Sequence, residues 1–383
     1  MIRNYPLTVV SIALLGMVSL FSAGCGGSKS NAPTYTTHTP KYLVALDYGS
    51  GRVEVMSINA TTGALTPVTN SPFSGLGLSD PYAVTTHPNG EWVYGCDYGE
   101  GSNNPVVGFT LSSSGVPSVI NTAYTDESGG CDFTAGLNIT PAGKYLYAAG
   151  DDTVITAFSI NQTTGALTNV GSLDVSSFDS GEYLQAMAST DSAIYAAGND
   201  GTIYVSVIGS TGAPSSSFTH LAVPSNLGVY SLTVDATQKY LLAGDNNGNL
   251  YVYGIASDSS LTLKSTTALK LYSTNTDTGT LYQIAFSVDQ KFIYVADDTN
   301  GLHALSFSSG TVSELTGSPY ALTYGTTTQT SFYGVQVDPS NQFVYAAGDD
   351  DGVFSWKRDT STGLLTSIGQ TSTQGEDALT TTF

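Results

Sequence analysis

Short segments in which apolar and polar residues alternate run along the chain from about residue 42 to its end. They are rich in Val, Ile, Thr and aromatic residues and are bounded by Gly, Asn, Asp or Pro; "EWVYGCD" (91–97) and "VVGFTL" (106–111) are examples. A period of two over such short lengths predicts half-buried β-strands. The pattern predicts no helix in this part, so the fold class is expected to be all-β.

One strand pattern recurs seven times, and two of its copies contain the identical hexapeptide "YAAGDD" (147–152 and 345–350). Each repeat holds four strand candidates, here lettered a to d; in the second repeat they are 82–87, 91–97, 106–111 and 116–122. Repeats of this length are typical of propellers and solenoids. Seven repeats of four antiparallel strands predict a seven-bladed β-propeller. The b strands begin at residues 42, 92, 145, 193, 240, 292 and 343.

The two ends of the chain are predicted to complete one blade together. The first repeat starts directly with a b strand, "YLVALD" (42–47). The last residues, "DALTTTF" (377–383), match the a strand "YAVTTHP" (82–88) of the second repeat. Pairing of the C-terminal strand with the N-terminal blade would close the ring and remove an exposed sheet edge. The propeller is therefore expected to span residues 41–383.

The N-terminal residues have the pattern of an export signal. Residues 1–24 carry one cation, then an apolar run from Leu7 to Phe21, then small residues. The tripeptide before Cys25 resembles the lipobox of bacterial lipoproteins, which predicts lipidation at Cys25; cleavage without lipid is the alternative. Residues 25–40 then form the lipidated cysteine and a polar, disordered tether. We expect a lipoprotein of the bacterial cell envelope (periplasm or outer membrane), or otherwise a secreted protein.

The charge of the chain excludes some partners. It has 31 acidic and 11 basic residues, a formal net charge of −20. Such a balance argues against nucleic acid and against an anionic membrane surface as partners. The expected contact with a membrane is therefore through the lipid anchor only.

Turn sequences and strand cores show a family resemblance. "NATTGALTPV" (59–68), "NQTTGALTNV" (161–170), "DTSTGLLTSI" (359–368) and the tripeptides "SPF" (71–73) and "SPY" (318–320) resemble the lactonase family of seven-bladed propellers. That family includes 6-phosphogluconolactonases and secreted proteins of the YVTN type. The resemblance implies the propeller fold and, as an activity, the hydrolysis of a lactone ring.

The residues that a phosphosugar lactonase would need are not found together. After the signal the sequence holds two arginines, Arg52 and Arg358, in different repeats, and its histidines occupy unlike positions. A hydrolase of a neutral or sugar lactone would need a carboxylate base, for which Glu182 and Glu376 are candidates. A binding or scaffold module without catalysis is the preferred interpretation.

Most carboxylates are predicted on one face, formed by the b–c and d–a loops and called here the loop face; the a–b and c–d turns form the opposite turn face. The loop face collects 21 of the 31 acidic residues. Asp, Asn and Gly favour tight turns, which is one explanation. The other is an acidic mouth for Ca²⁺ or for a basic protein partner. The best cation candidates are Asp245, Asp349, Asp350 and Asp351; no cofactor is required.

A ring of tyrosines is predicted at the loop-face ends of the a strands. These tyrosines either pack between blades or form aromatic platforms for a sugar-like ligand in the central funnel. Glu182, Gln185, Glu376 and Asp377 would be the polar partners of such a ligand. The tyrosines, each ten residues before a b strand, are Tyr82, Tyr183, Tyr230, Tyr282 and Tyr333.

Two cysteines remain besides Cys25. Cys96 ends the b strand of the second repeat and Cys131 lies in the following d–a loop, so both are expected on the loop face of adjacent blades. In an oxidising compartment this placement predicts a Cys96–Cys131 disulfide. Two separately packed thiols are the alternative.

Overall fold

Strands make up the regular secondary structure of the residues that a computed structural model of the chain describes. The predicted signal peptide, Cys25 and the first part of the tether lie outside the residues that the structure describes. Within the described residues, no helix has the length and apolar character needed to cross a membrane. The described residues are 35–47, 50–97, 104–125, 131, 136–150, 153–176, 183–273, 275–324, 327–348, 352–373 and 376–383.

All but two of the strands form seven four-stranded antiparallel sheets, which confirms the predicted seven-bladed β-propeller. In the order a to d, blade 1 is β30 (Glu376–Thr381), β1 (Tyr42–Asp47), β2 (Arg52–Ile58) and β3 (Leu65–Pro67). Blade 2 is β4 (Pro81–Thr86), β5 (Trp92–Asp97), β6 (Pro105–Leu111) and β7 (Pro117–Tyr124). Blade 3 is β8 (Leu137–Ile139), β9 (Tyr145–Ala148), β10 (Val154–Ile160) and β11 (Leu167–Asp174). Blades 4 and 5 are β12 (Leu184–Ser189), β13 (Ala193–Gly198), β14 (Thr202–Ile208), β15 (Pro214–Ala222); and β16 (Val229–Val234), β17 (Tyr240–Asp245), β18 (Asn249–Ile255), β19 (Leu261–Ala268). Blades 6 and 7 are β20 (Leu281–Phe286), β21 (Phe292–Asp297), β22 (Gly301–Ser308), β23 (Thr311–Glu314); and β26 (Phe332–Val337), β27 (Phe343–Gly348), β28 (Gly352–Arg358), β29 (Leu365–Thr371). The hairpin β24 (Leu322–Tyr324) and β25 (Thr327–Gln329) lies in the connection between them.

The seven a strands form a closed ring around the central axis. Each a strand contacts the a strands of both neighbouring blades. The last strand, β30, pairs antiparallel with β1, so that Leu379 lies opposite Ala45 and Thr381 opposite Leu43. Seven clusters of buried apolar side chains fill the spaces between adjacent blades. The predicted closure of the ring by the C-terminal strand is therefore confirmed.

The repeated "TTG" sequences are c–d turns whose geometry follows from their residues. The Asn59 side-chain oxygen accepts hydrogen bonds of 3.0 Å from the backbone amides of Thr61 and Thr62. Gly63 then adopts a φ of 72°, a left-handed conformation that strains residues with a Cβ atom. Asn161 and Asp359 cap the equivalent turns in the same way. The family resemblance therefore rests partly on turn chemistry.

A tyrosine of strand b, which begins "YAAG" in three of the blades, connects its blade to the next. In five blades it is the third residue of strand b, fully buried, and its hydroxyl donates to a backbone carbonyl in the c–d turn of the following blade. The first residue of strand b is in most blades an aromatic ring that packs against the glycine of the same turn. The repeat is therefore conserved within the chain for blade-to-blade contact. The five tyrosines are Tyr94, Tyr147, Tyr195, Tyr294 and Tyr345.

The "SPF" and "SPY" tripeptides extend two short d strands. Both contain a cis peptide bond, Ser71–Pro72 in blade 1 and Ser318–Pro319 in blade 6. Phe73 exchanges two backbone hydrogen bonds of 2.9 Å with Val53 of strand c. Tyr320 pairs in the same way with Leu302. These residues therefore continue the pairing along strand c beyond β3 and β23.

Residues 35–40, assigned from the sequence to the tether, pack against the turn face. The His38 amide donates to the Pro339 carbonyl at 2.8 Å, and the His38 ring stacks on Phe383 with 4.0 Å between ring centroids. Thr36 and His38 line a cavity of about 390 Å³ together with the turn-face ends of a strands from blades 1, 2 and 7. This segment therefore covers part of the turn-face end of the hub, because its ring and backbone find partners there.

Candidate functional site

A β-bulge recurs where the a strands begin on the loop face. In blade 6, Leu281 pairs with Asp297 and Gln283 with Ala296, so Tyr282 between them is an extra residue in strand a. An extra residue of this kind bends the strand and redirects its side chain. Six of the a strands have this bulge at their loop-face end. The bulged residues are Tyr82, Gln185, Tyr230, Tyr282, Tyr333 and Asp377.

Three of the bulged residues form a continuous aromatic row, called here the tyrosine ladder. The rings of Tyr230 and Tyr282 meet edge to face with 5.7 Å between centroids, and those of Tyr282 and Tyr333 with 4.9 Å. All three side chains are partly exposed. Edge-to-face packing stabilises the row, and each of the three side chains keeps part of its surface exposed to solvent. The ladder spans three consecutive blades.

The prediction that Tyr183 belongs to this ring is wrong. Tyr183 lies just before β12 and is 46% exposed, and Gln185 occupies the bulge in blade 4. The a–b turn of this blade closes from Thr190 to Ala193, two residues shorter than the Ser287–Phe292 turn of blade 6. Counting back ten residues from strand b therefore misplaces the position by two.

Two residues after this bulge, Met187 is buried and lies opposite Ala196 of strand b. Tyr82 is also buried. Asp377 lies at the bulge of blade 1, with its side chain outside the described residues. Of the five predicted tyrosines, the structure thus brings Tyr230, Tyr282 and Tyr333 together.

The aspartates that end the b strands are buried and organise turns. Asp245 accepts hydrogen bonds from the amides of Asn247 and Asn249 on one oxygen and from Ser225, Asn249 and Tyr251 side chains on the other. Asp297 similarly accepts from the amides of Thr299 and Asn300. The structure gives Asp245 a turn-forming role, since donors occupy both of its oxygens.

No group of three or more His, Cys, Asp or Glu side chains suited to a metal ion occurs among the described residues. Three of the predicted cation ligands, Asp349, Asp350 and Asp351, lie outside those residues. Glu182 also lies outside them, and Glu376 is described as part of β30 without its side chain. The predicted catalytic pair therefore stays a prediction.

Asp97 differs from the other strand-end aspartates. One of its oxygens accepts the Ser79 amide at 2.8 Å, but the other is buried and has no hydrogen-bond partner in the described part of the chain. Burial raises the pKa of the Asp97 carboxyl to about 6. The neighbouring Cys96 forms the predicted disulfide with Cys131, whose amide donates to the Asp97 carbonyl at 2.9 Å.

A buried acid–base network in blade 6 was missed by sequence reasoning. The two ring nitrogens of His303 lie 2.8 Å from Glu314 and 3.3 Å from Asp297, and the histidine is fully buried. The two carboxylates raise the pKa of His303 against its burial, and His303 holds the pKa of Glu314 below its usual range. The signal would have been an ionisable residue at a position of strand c that is apolar or aromatic in four other blades. The network joins three strands and has a structural role.

Cationic side chains are sparse around the tyrosine ladder. Within the described residues, the loop face carries Arg52, which is paired with Asp47 at 2.8 Å, and Lys270, whose amine contacts the Leu315 carbonyl at 3.3 Å. Arg358 is buried on the turn face with Asp289. His87 lies on the turn face too, bonded to the Gly143 carbonyl at 2.8 Å. The described surface therefore offers the ladder no cluster of cations for a phosphate.

Comparisons with known proteins agree with this architecture. Residues 50–178 match the model of a family described as "Lactonase, 7-bladed beta-propeller". No curated protein matches the chain. The resemblance to the lactonase family that the sequence shows is thereby confirmed, together with the fold.

Several solved structures share the whole propeller. The periplasmic gluconolactonase of Pseudomonas aeruginosa has a TM-score of 0.72 and 15% identity, covering 89% of this chain and 99% of the other. A putative 6-phosphogluconolactonase of Bacteroides fragilis gives 0.69 and 18%, covering 91% and 99%. A protein of Lactobacillus plantarum gives 0.72 and 14%, covering 89% and 99%. At these identities the likeness shows the fold alone.

Proposed function

We propose that this lactonase-like propeller is a binding module that takes an uncharged, sugar-like ligand at the tyrosine ladder on its loop face. The observation that carries the proposal is the contact of Tyr230, Tyr282 and Tyr333 across three blades. Partly exposed aromatic rings next to hydroxyl groups suit the apolar faces and hydroxyls of a sugar. The acidic surface and the lack of a described cation cluster favour a ligand without phosphate.

A ligand panel tests this function. Neutral sugars and sugar lactones are titrated into the mature chain by isothermal calorimetry, with phosphorylated counterparts for comparison. Tyr282→Ala removes the central ring and is expected to weaken binding about 5- to 150-fold, since a stacking contact with an aromatic side chain contributes about 1–3 kcal/mol. Tyr124→Ala removes a more exposed tyrosine from the outer strand of blade 2 and should leave affinity unchanged. Equal affinity of the wild type and Tyr282→Ala contradicts the proposal.

A lactone hydrolase is the second candidate. The family match favours it, as does the structural likeness to a protein named a periplasmic gluconolactonase. In this case Glu182 or Glu376 would act as the base on a neutral or sugar lactone. Release of acid from a lactone panel, followed in a pH-stat and lost in Glu182→Gln or Glu376→Gln, supports hydrolysis. Binding without acid release leaves the binding module as the function.

The proposed location is outside the cytoplasm, with a lipid on Cys25 as the anchor. The signal-like residues 1–24 and the periplasmic location in the name of the Pseudomonas relative support it. Several acyl chains give stable anchoring that one chain does not. Incorporation of labelled palmitate into the wild type and its loss in Cys25→Ser is the expected result. A wild-type protein without label contradicts the anchor.

A further inference from the structure

A second cavity lies at the junction where the ring closes. It has a volume of about 280 Å³ and is lined by Arg52, Glu54, Pro72, Ser372 and Thr373. Arg52 and Glu54 belong to strand c of blade 1, and Ser372 and Thr373 follow the last strand of blade 7. The cavity therefore lies between blades 7 and 1, and none of its lining residues belongs to the tyrosine ladder.

Glu54 is a buried carboxylate that faces this cavity. The exposed fraction of the residue is 6%, no hydrogen bond joins it to another described residue, and its oxygens keep contact with the cavity, since they are not among the fully buried atoms without a partner. Burial raises the pKa of Glu54, and Asp47 raises it further, whereas Arg52 lowers it. A carboxylate that solvent reaches only through a small cavity is less well solvated than one at the surface, and this incomplete solvation is costly. A ligand that supplies donors would remove this cost.

The neighbouring pair leaves Glu54 as the uncompensated charge. Arg52 donates to one Asp47 oxygen through Nη2 at 2.8 Å and through Nε at 3.2 Å. The charges of Arg52 and Asp47 therefore balance each other at contact distance. Arg52 lines the cavity but holds its guanidinium against Asp47, so the three side chains together carry one negative charge when Glu54 is ionised, which favours a cation beside Glu54.

In blades 5 and 6, the residue of strand c at the position equivalent to Glu54 has a structural role. Glu54 lies opposite Ala45 on strand b, as Tyr251 lies opposite Ala243 and His303 opposite Val295. Tyr251 donates to Asp245 at 2.8 Å, and His303 lies 3.3 Å from Asp297. In those blades the residue is a donor to the aspartate that ends strand b. In blade 1 it is an acceptor, and Arg52 serves as the donor to Asp47 instead.

We propose that Glu54 anchors a binding site for a small protonated amine in the cavity between blades 7 and 1. The ammonium group supplies both the missing N–H donors and the missing positive charge. The hydroxyl groups of Ser372 and Thr373 add polar atoms to the wall. The volume is at or below the small end of ligand pockets, which limits the ligand to a few carbon atoms. The site is separate from the proposed sugar site and does not depend on it.

Three small probes at constant ionic strength test the chemistry: methylammonium, tetramethylammonium and glycerol. Methylammonium carries charge and N–H donors, tetramethylammonium carries charge alone, and glycerol carries neutral donors. Calorimetry of the mature chain in an amine-free buffer should show binding of methylammonium at least tenfold tighter than that of the other two. Equal binding of both ammonium ions, no binding of methylammonium, or tighter binding of Ca²⁺ overturns the proposal.

Variants locate the site. Glu54→Gln keeps the size and removes the charge, and should weaken methylammonium binding at least tenfold while its melting temperature stays at or above that of the wild type. Glu91→Gln changes an exposed carboxylate on the turn face and should bind as the wild type does. Tyr282→Ala should also bind methylammonium normally, which distinguishes this site from the ladder. Undiminished binding by a folded Glu54→Gln protein places the amine elsewhere and overturns the proposal.

Discussion

The hydroxyl of Tyr345 donates a hydrogen bond of 3.0 Å to the carbonyl oxygen of Gly63, which lies 282 residues earlier in the chain. The ring of Phe343 packs against the same glycine. A Cβ atom at residue 63 would overlap this ring, so the glycine is needed for space as well as for its φ. Blade 7 thus contacts blade 1 through side chains of strand b, while the pairing of β30 with β1 completes blade 1 itself.

Tyr345→Phe should lower the free energy of unfolding by about 1–2 kcal/mol, because it leaves the buried Gly63 carbonyl without its donor. Chemical denaturation of wild type and variant measures the difference. Tyr124→Phe is the matched control, since Tyr124 is 54% exposed and should change stability by less than about 0.5 kcal/mol. Equal losses in the two variants would show that the contact with Gly63 adds nothing.

Leu379→Ala tests the closure of the ring by the C-terminal strand. Leu379 is buried between blades 7 and 1, so the variant should lose about 2–4 kcal/mol of unfolding free energy. Leu364→Ala makes the same chemical change at a residue that is 39% exposed and should lose less than about 1 kcal/mol. Thermal melting of both variants checks this. A Leu379→Ala protein as stable as Leu364→Ala contradicts the closure.

The Cys96–Cys131 disulfide should stabilise the junction of blades 2 and 3. It closes a loop with a sequence separation of 35, for which chain entropy gives about 3–4 kcal/mol. The double variant Cys96→Ala/Cys131→Ala is expected to lose this amount in urea denaturation. In a Cys25→Ser background, thiol titration of the denatured protein should find free thiols only after reduction. Free thiols before reduction would contradict the disulfide.

Asp97 and Asp245 should respond in opposite directions to the same substitution. The folded pKa of Asp97, about 6, lies above its unfolded value, so the stability linked to it is present at low pH and is lost as pH rises through about 6. At pH 8, Asp97→Asn should therefore raise the unfolding free energy, by about 1–3 kcal/mol. Asp245→Asn replaces an acceptor of several donors and should lower it. Destabilisation by both substitutions at pH 8 refutes the unpaired state of Asp97.

The His303 network should give stability a maximum in pH. The pKa of His303 is raised by folding, so its contribution is complete below its unfolded pKa, near 6.5, and is lost as pH rises through the higher folded value. The pKa of Glu314 is lowered, so its contribution is complete above its unfolded pKa and is lost as pH falls through the folded value. His303→Gln should cost about 3–5 kcal/mol between these limits, since it leaves two buried carboxylates without their cationic partner. Unfolding curves from pH 4 to 10 test this; a cost that does not vary with pH contradicts a charged His303.

The blades could be predicted from the sequence because each repeat contains its own strand pattern and turn residues. Alternation in "EWVYGCD" predicted a strand at 91–97, and the structure has β5 at Trp92–Asp97. The first repeat lacks an a strand before "YLVALD", and the C-terminal "DALTTTF" matches the a strand of the second repeat. Together these two facts predicted the pairing of the chain ends, which local strand propensity could not predict. The tyrosine ladder was predicted in part, since a fixed count from strand b holds only while the a–b turn keeps its length, as it does for Tyr282 but not for Tyr183.

The number of blades, the order of strands within each blade and the residues that make its turns can be predicted from the sequence alone, because these depend on periodicity and on contacts between near neighbours. Which ionisable side chains have partners depends on the tertiary structure. Asp97, Asp245 and Asp297 end their strands with the same residue type, yet one has a buried oxygen without a donor and two are bonded. The electrostatic state of a carboxylate depends on burial and on donors from other strands and blades, and sequence spacing does not specify those distances.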